Sequence, residues 1–180
     1  MGATMMEDRL FRGFVAGVIG GLPATLLGHI LYLVGFNTLR ASDWAATLIY
    51  AHTQPFSLGE QLFATFILLG WCGAIGSLFG FFVVWVTSRK ILFKGWVLGT
   101  TPYFVIYLFT TLFQVPGTVP LPFGTALSNY ITSTIFGITM AYSFKVLDKT
   151  VVDRSPLELI AQPATKPNDK NESQWPNSDE

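Results

Sequence analysis

Four long apolar segments without charged residues follow one another along the chain. They cover residues 13–36, 62–86, about 95–113 and about 125–144. About 20 mostly apolar residues in a helix cross the ~30 Å hydrocarbon layer of a bilayer, because lipid offers the backbone no hydrogen-bond partners. The pattern predicts an all-α membrane protein, a transmembrane bundle of four helices that occupies residues 13–147.

The lysine and arginine residues are distributed unevenly over the connecting segments. One set of segments carries ten of them: Arg9, Arg12, Arg89, Lys90, Lys94, Lys145, Lys149, Arg154, Lys166 and Lys170. The opposite set carries Arg40 alone. Cytoplasmic segments are enriched in basic residues, so we expect residues 1–12 and the C-terminal segment to lie in the cytoplasm. The first span is long enough to remain as an anchor and not be cleaved as a signal peptide.

The segments outside the spans differ in character. Residues 148–180 are polar and interrupted by prolines, which predicts a disordered cytoplasmic tail because little apolar surface is available to offset the conformational entropy. The first outer connection, residues 37–61, contains a pattern for a short interfacial helix capped by Ser42 or Asp43. Trp44, Leu48 and Ala51 would share one face of this helix. Trp44 and Tyr50 suit the membrane surface. The alternative is an ordinary loop with a helical turn.

Small residues recur on one side of three of the predicted spans. They are Gly13, Gly17 and Gly28 in the first span, Gly73, Ser77 and Gly80 in the second, and Gly95 and Gly99 in the third. Membrane helices associate where small residues let their backbones approach closely, so we expect the first and second spans to pair through these surfaces. Residues 12–17 resemble 94–99, and 77–80 resemble 134–137. Either two helical hairpins arose by duplication, or the similarity is chance.

The fourth span carries a polar stripe within an arc of about 100° at helical spacing. It comprises Thr125, Ser128, Asn129, Thr132, Thr139 and Ser143. Hydrogen bonds between helices are the favoured interpretation, at about 0.6 kcal/mol each. The lining of a polar cavity is the alternative. His29, inside the first span, is interpreted as a neutral histidine bonded to a neighbouring helix, with a functional role as the alternative.

Composition excludes several classes of function. The net charge is zero, unlike that of a nucleic-acid-binding domain, and the single cysteine, Cys72, cannot form an internal disulfide. No Cys/His cluster has metal-ligand spacing, and no Asp or Glu lies within a span. The sequence therefore predicts neither an enzyme nor a protein that holds a cofactor or metal, and no catalytic residues are assigned.

Three segments carry a resemblance to a known family. The chain resembles the YqhR-type four-span membrane proteins of Gram-positive bacteria at residues 94–96, in the proline-bearing loop after the third span, and at residues 136–143. The resemblance covers residues 10–145 and leaves the tail outside. It implies a multi-pass protein of the bacterial plasma membrane and no catalytic residue to carry over.

Two functions remain after these exclusions. The first is a non-enzymatic scaffold, assembly or envelope component that acts in contact with membrane lipids through a protein partner or a second copy of the chain. The second is a small oligomeric channel or facilitator for an ion or small polar solute, with Asn129, Thr132 and His29 along its path.

Overall fold

The computed structural model describes residues 2–85 and 90–147, with side chains from residue 9 to 83 and from 90 to 147. These residues form five α-helices and no strand: α1 (Gly2–Leu33), α2 (Ala41–Tyr50), α3 (Leu58–Trp85), α4 (Ile91–Leu112) and α5 (Phe123–Leu147). The all-α prediction is confirmed for this part of the chain. The predicted tail, residues 148–180, lies outside the described residues.

Among the described residues, three helical segments are long and apolar enough to cross a membrane. They are Arg9–Leu33, Leu58–Val83 and Ile91–Leu112. α5 is 25 residues long but is not one of the three, because serine, threonine and asparagine side chains dilute its apolar content.

The first helix ends earlier than its apolar pattern predicts. The predicted span reaches residue 36, whereas α1 ends at Leu33 and Gly35 adopts a φ of 74°. The amide of Gly35 donates to the carbonyl of Tyr32, and the amide of Phe36 donates to that of Leu31, both over 3.0 Å. This is the Schellman ending, in which a glycine in the left-handed region turns the chain out of the helix. Apolar length alone does not reveal such a stop.

The helices pack as a curved row in which α1 is central. α1 lies against α3 on one side and α5 on the other, and α4 packs on the far side of α5. Neighbours in this row run antiparallel. The apolar core contains Ala16 of α1, Phe79 of α3, and Phe136, Met140 and Phe144 of α5. The fourth seam, between α3 and α4, has only sparse contacts.

Glycines close the seam between α1 and α3. A Cβ atom on Gly13 would overlap the carbonyl oxygen of Gly76, and one on Gly17 would overlap that of Cys72. A Cβ atom on Gly73 would lie 2.5 Å from the ring of Phe14. The backbones approach this closely because these positions lack side chains. The α1–α3 pairing expected from the small residues is therefore the one the structure contains.

Two further small residues of α3 lie near the start of α1. The hydroxyl of Ser77 donates to the carbonyl of Leu10 over 3.0 Å. A Cβ atom on Gly80 would lie 3.0 Å from the carbonyl oxygen of Arg9. Both residues therefore belong to the same helix–helix seam.

A second glycine seam joins α4 to α5. A Cβ atom on Gly95 would lie 2.5 Å from the carbonyl oxygen of Gly137, and one on Gly99 would lie 3.1 Å from that of Ser133. Glycines at equivalent positions of the two similar sequence motifs thus occupy helix–helix seams in both hairpins. Duplication of the hairpins stays a prediction. Gly28 differs from these glycines, since its Cβ would meet only Thr132 Cγ2, at the ordinary distance of 3.9 Å.

The short helix α2 packs against α3 at one end of the bundle, which we call the α2 end. Its N-cap is Arg40, not Ser42 or Asp43, and the Asp43 carboxylate accepts a 2.8 Å hydrogen bond from the Arg40 amide. Trp44 is 5% exposed. It therefore contacts protein and not the membrane surface expected from its sequence pattern.

Candidate functional site

A cavity of about 440 Å³ lies between α3 and α4 in the half of the bundle nearest α2. Its volume falls within the range of ~300–1,000 Å³ found for ligand pockets. All five helices contribute to its wall. The cavity exists because α3 and α4 stand at the two ends of the curved row and do not close on each other.

The wall of the cavity is largely apolar. Ile75 and Phe136 belong to the buried core and lie at its deep end, and Ile106 belongs to the α4 side. On the α3 side, Ile67 is 42% exposed and Trp71 is 56% exposed, although both line the cavity. Lining residues with this much exposure mark the edge of an opening along α3, and Leu48 of α2, which is 59% exposed, lies on the same edge. The sparse contacts between α3 and α4 place this opening along their seam.

The buried carboxylate of Asp43 holds together the protein at the end of the cavity under α2. Arg40 donates to it from Nε over 3.1 Å and from Nη2 over 2.9 Å, and Gln61 of α3 donates over 2.6 Å. The Arg40 guanidinium also lies 4.3 Å from the ring centroid of Tyr32 in α1. A buried charge requires a counter-charge and several donors, and Asp43 has both. This network fastens α2 to α1 and α3.

Gln61 has no local sequence signal that points to its role at Asp43. Arg40 and Asp43 are three residues apart, a spacing that signals a contact at the start of a helix. Gln61 is 18 residues beyond Asp43, and no local pattern connects the two.

The polar stripe of α5 divides into two groups. Thr125 Oγ1 accepts a 3.0 Å hydrogen bond from the Thr38 amide, and Ser128 Oγ accepts one of 3.0 Å from Asn37. Asn129 donates from Nδ2 to the Tyr107 hydroxyl of α4 over 3.0 Å. The members nearest the α2 end therefore bind other parts of the protein.

Two members of the stripe further along α5 bond within their own helix. Thr132 donates to the carbonyl of Asn129 over 3.0 Å, and Thr139 donates to that of Ile135 over 2.7 Å. Asn129 and Thr132 also line the cavity. The stripe thus combines contacts between elements, contacts within α5, and two residues on the cavity wall.

His29 lies on the cavity wall, and its partner is on its own helix. Its Nδ1 is 2.9 Å from the carbonyl oxygen of Thr25. A carbonyl only accepts, so the proton of this bond resides on Nδ1. The expected bond to a neighbouring helix is therefore replaced by one within α1.

Trp44 joins the apolar wall to the polar end of the cavity. Its ring centroid lies 5.1 Å from that of Tyr107. Its indole Nε1–H is buried and has no hydrogen-bond partner among the described residues. Leaving such a donor unpaired costs about 1–3 kcal/mol. Two other buried side-chain atoms in the described part of the chain have no partner, and they belong to Asn37 and Thr134, which lie outside the cavity wall.

The ability of the described residues to hold a metal is limited. Within residues 2–85 and 90–147, no group of three His, Cys, Asp or Glu side chains could hold an ion. Cys72 lines the cavity as a free thiol. The wall provides apolar contact, the imidazole of His29, and the amide and hydroxyl groups of Asn129 and Thr132, whereas the Nε1–H of Trp44 is buried within the protein.

Comparison of the chain with protein-family models, curated proteins and solved structures gives no match. The resemblance to YqhR-type proteins stays a prediction.

Proposed function

We propose that the chain is an integral membrane protein that crosses the bilayer four times. The position of α5 supports the fourth crossing, because α5 lies between α1 and α4, which both contain a candidate span. A helix packed lengthwise between two spans crosses the same layer. Its polar residues Thr125, Ser128 and Asn129 are buried in protein, which offsets the cost of placing them at membrane depth.

We propose that the protein lies in a bacterial plasma membrane with both termini on the cytoplasmic side. In the antiparallel row, the start of α1, the start of α4 and the end of α5 share one end of the bundle, opposite the α2 end. The basic residues Arg12, Lys94 and Lys145 occur in these three places. At the α2 end, residues 34–61 and 113–124 carry Arg40 as their single lysine or arginine. This asymmetry supports a cytoplasmic position for the basic end and an outer position for α2.

The function that the geometry supports best is binding without catalysis, as a scaffold, assembly or envelope component. The observation that carries this proposal is the apolar cavity along the α3–α4 seam, where contacts are sparse. The other neighbouring helices among the described residues meet through close backbone contacts. Such a bundle offers a fixed surface on which a lipid, a protein partner or a second copy can dock. Native mass spectrometry after purification in mild detergent should detect the chain in a defined stoichiometry with one of these. A bare monomer in lipid-preserving detergent would contradict the proposal.

An oligomeric channel or facilitator is the second candidate. The presence of His29, Asn129 and Thr132 on the cavity wall favours it. Their polar groups could contact a solute if several copies surrounded a shared path. Ion and solute flux through liposomes that contain the folded protein tests this candidate, and flux equal to that of protein-free liposomes would overturn it.

A further inference from the structure

We infer that the cavity between α3 and α4 binds one hydrocarbon chain of an outer-leaflet lipid, and that Trp44 Nε1–H donates a hydrogen bond to an uncharged oxygen at the head end of that chain. This inference rests on the four-span arrangement proposed above, which places the α3–α4 seam against lipid. It goes further by naming the occupant and the residue that recognises it.

The dimensions of the cavity match one leaflet. On α3 its wall extends from Ile67 to Ile75, a rise of about 12 Å at 1.5 Å per residue. Half of the ~30 Å hydrocarbon layer is a similar distance. The cavity begins under α2, at the proposed outer surface, and ends at Ile75 and Phe136 in the core. A chain that entered along the seam would remain within the depth of its own leaflet.

The buried donor of Trp44 indicates which atom the occupant presents. Trp44 is 95% buried, lines the cavity and has its indole N–H unpaired among the described residues. Nε1 itself is fully buried in this structure, so the indole ring turns toward the cavity when an ester or hydroxyl oxygen binds it, and the bond recovers the cost of burying the donor. An occupant without an oxygen would leave it unpaired. A lipid chain with an oxygen at its head end fits both the apolar wall and this donor.

The charged residues at the cavity indicate that a charged lipid headgroup stays outside it. Arg40 is the one charged residue in the wall formed by the described residues, and Asp43 accepts hydrogen bonds from its Nε and Nη2 atoms. The pair is close to neutral as a unit. The recognition therefore concerns the hydrocarbon chain and its linking oxygen.

Quenching of Trp44 by a brominated lipid tests this inference. A variant that keeps Trp44 as its single tryptophan has phenylalanine at 71, 85, 96 and 175. It is placed in phosphatidylcholine vesicles with or without dibrominated acyl chains. We expect Trp44 to be quenched about as strongly as Trp71 in the corresponding single-Trp71 variant, although Trp71 is 56% exposed and Trp44 is buried. Quenching of Trp71 with none of Trp44 would overturn the inference.

Gly28→Leu separates a chain in the cavity from lipid around the bundle. The new side chain enters the cavity, since a Cβ at Gly28 meets only Thr132 Cγ2 at 3.9 Å. Gly70→Leu is the matched control, because Gly70 is exposed on α3 with nothing within 4 Å of its Cβ position. Quenching of Trp44 should disappear in the first variant and persist in the second. Equal quenching in both folded variants would contradict binding in the cavity.

Lipid retention by the unmodified protein provides a measurement that needs no variant to fold. After delipidation and incubation with a dibrominated phosphatidylcholine, native mass spectrometry should show one lipid retained per chain. No retained lipid would overturn the inference. Labelling that showed a different number of spans would instead refute the four-span proposal, so the two failures are distinguishable.

Discussion

The Asn129 side-chain amide donates a hydrogen bond to the Tyr107 hydroxyl over 3.0 Å, joining α5 to α4 beside the cavity. The ring of Tyr107 in turn packs 5.1 Å from that of Trp44 in α2. Three helices are therefore linked through Tyr107. Any change at Asn129 acts both on the packing of α5 and on the wall of the cavity.

Asn129→Leu should lower the free energy of unfolding by about 0.5–2 kcal/mol, because it removes one hydrogen bond between membrane helices. Thermal unfolding in detergent measures this loss. Thr139→Val is the control, since the Thr139 hydroxyl bonds within its own helix to the Ile135 carbonyl. We expect a smaller change for the control.

The same residue distinguishes binding from conduction. If the binding proposal is correct, Asn129→Leu changes stability and no specific flux is seen in liposomes with either protein. Flux through the unmodified protein that falls in Asn129→Leu, with a shift toward cations in Asn129→Asp, would support the channel instead.

Asp43→Ala should destabilise the α2 end by about 3 kcal/mol, because it leaves Arg40 and Gln61 without the acceptor that they share. This loss is at the lower end of the range for breaking a buried ion pair, because the Arg40 side chain is 18% exposed. A double-mutant cycle with Arg40→Met measures the coupling from thermal unfolding. Additive losses would show that the pair contributes no interaction energy.

Cysteine labelling should show four spans with both termini inside. In a Cys72→Ser background, Thr53→Cys and Gln114→Cys, both at exposed positions, should react with an impermeant maleimide from outside intact cells. Lys145→Cys, at the opposite end of the bundle, should react only after permeabilisation. Labelling of Lys145→Cys from outside would show either that the orientation is the reverse of the one proposed or that α5 does not cross the membrane.

His52 should titrate above its ordinary pKa of about 6.5. Its Nδ1 lies 2.9 Å from the Thr53 carbonyl oxygen and its Nε2 lies 3.2 Å from the Glu60 carboxylate. Two acceptors favour the doubly protonated ring, so these bonds raise the pKa of His52, the Thr53 bond most strongly. The contribution to stability is present below the unfolded-state pKa and is lost as the pH rises through the raised value.

An NMR titration of the His52 ring protons, assigned by their absence in His52→Gln, measures this shift. Glu60→Gln should move the pKa downward, because it removes the carboxylate charge. A pKa at or below the ordinary value in the unmodified protein would contradict the paired geometry in solution.

Local patterns in the sequence were sufficient for much of the helical architecture. The long uncharged apolar segments of the sequence predicted the positions of α1, α3 and α4. The spacing of Gly13 and Gly17 indicated which face of α1 approaches α3. These properties depend on residues close together along the chain and on the known dimensions of a helix. The end of α1 was misplaced because a single glycine, Gly35, stops the helix within an apolar run.

The cavity and its chemistry were decided by the tertiary structure. Trp44 has the sequence pattern of a residue at the membrane surface, yet it is buried because Asp43 binds Arg40 and, through Gln61, the start of α3. Glycines predict where two backbones can meet, but they do not reveal that α3 and α4 make only sparse contacts. An open seam results from the packing of every other helix in the row, so only the assembled bundle determines which side chains line it.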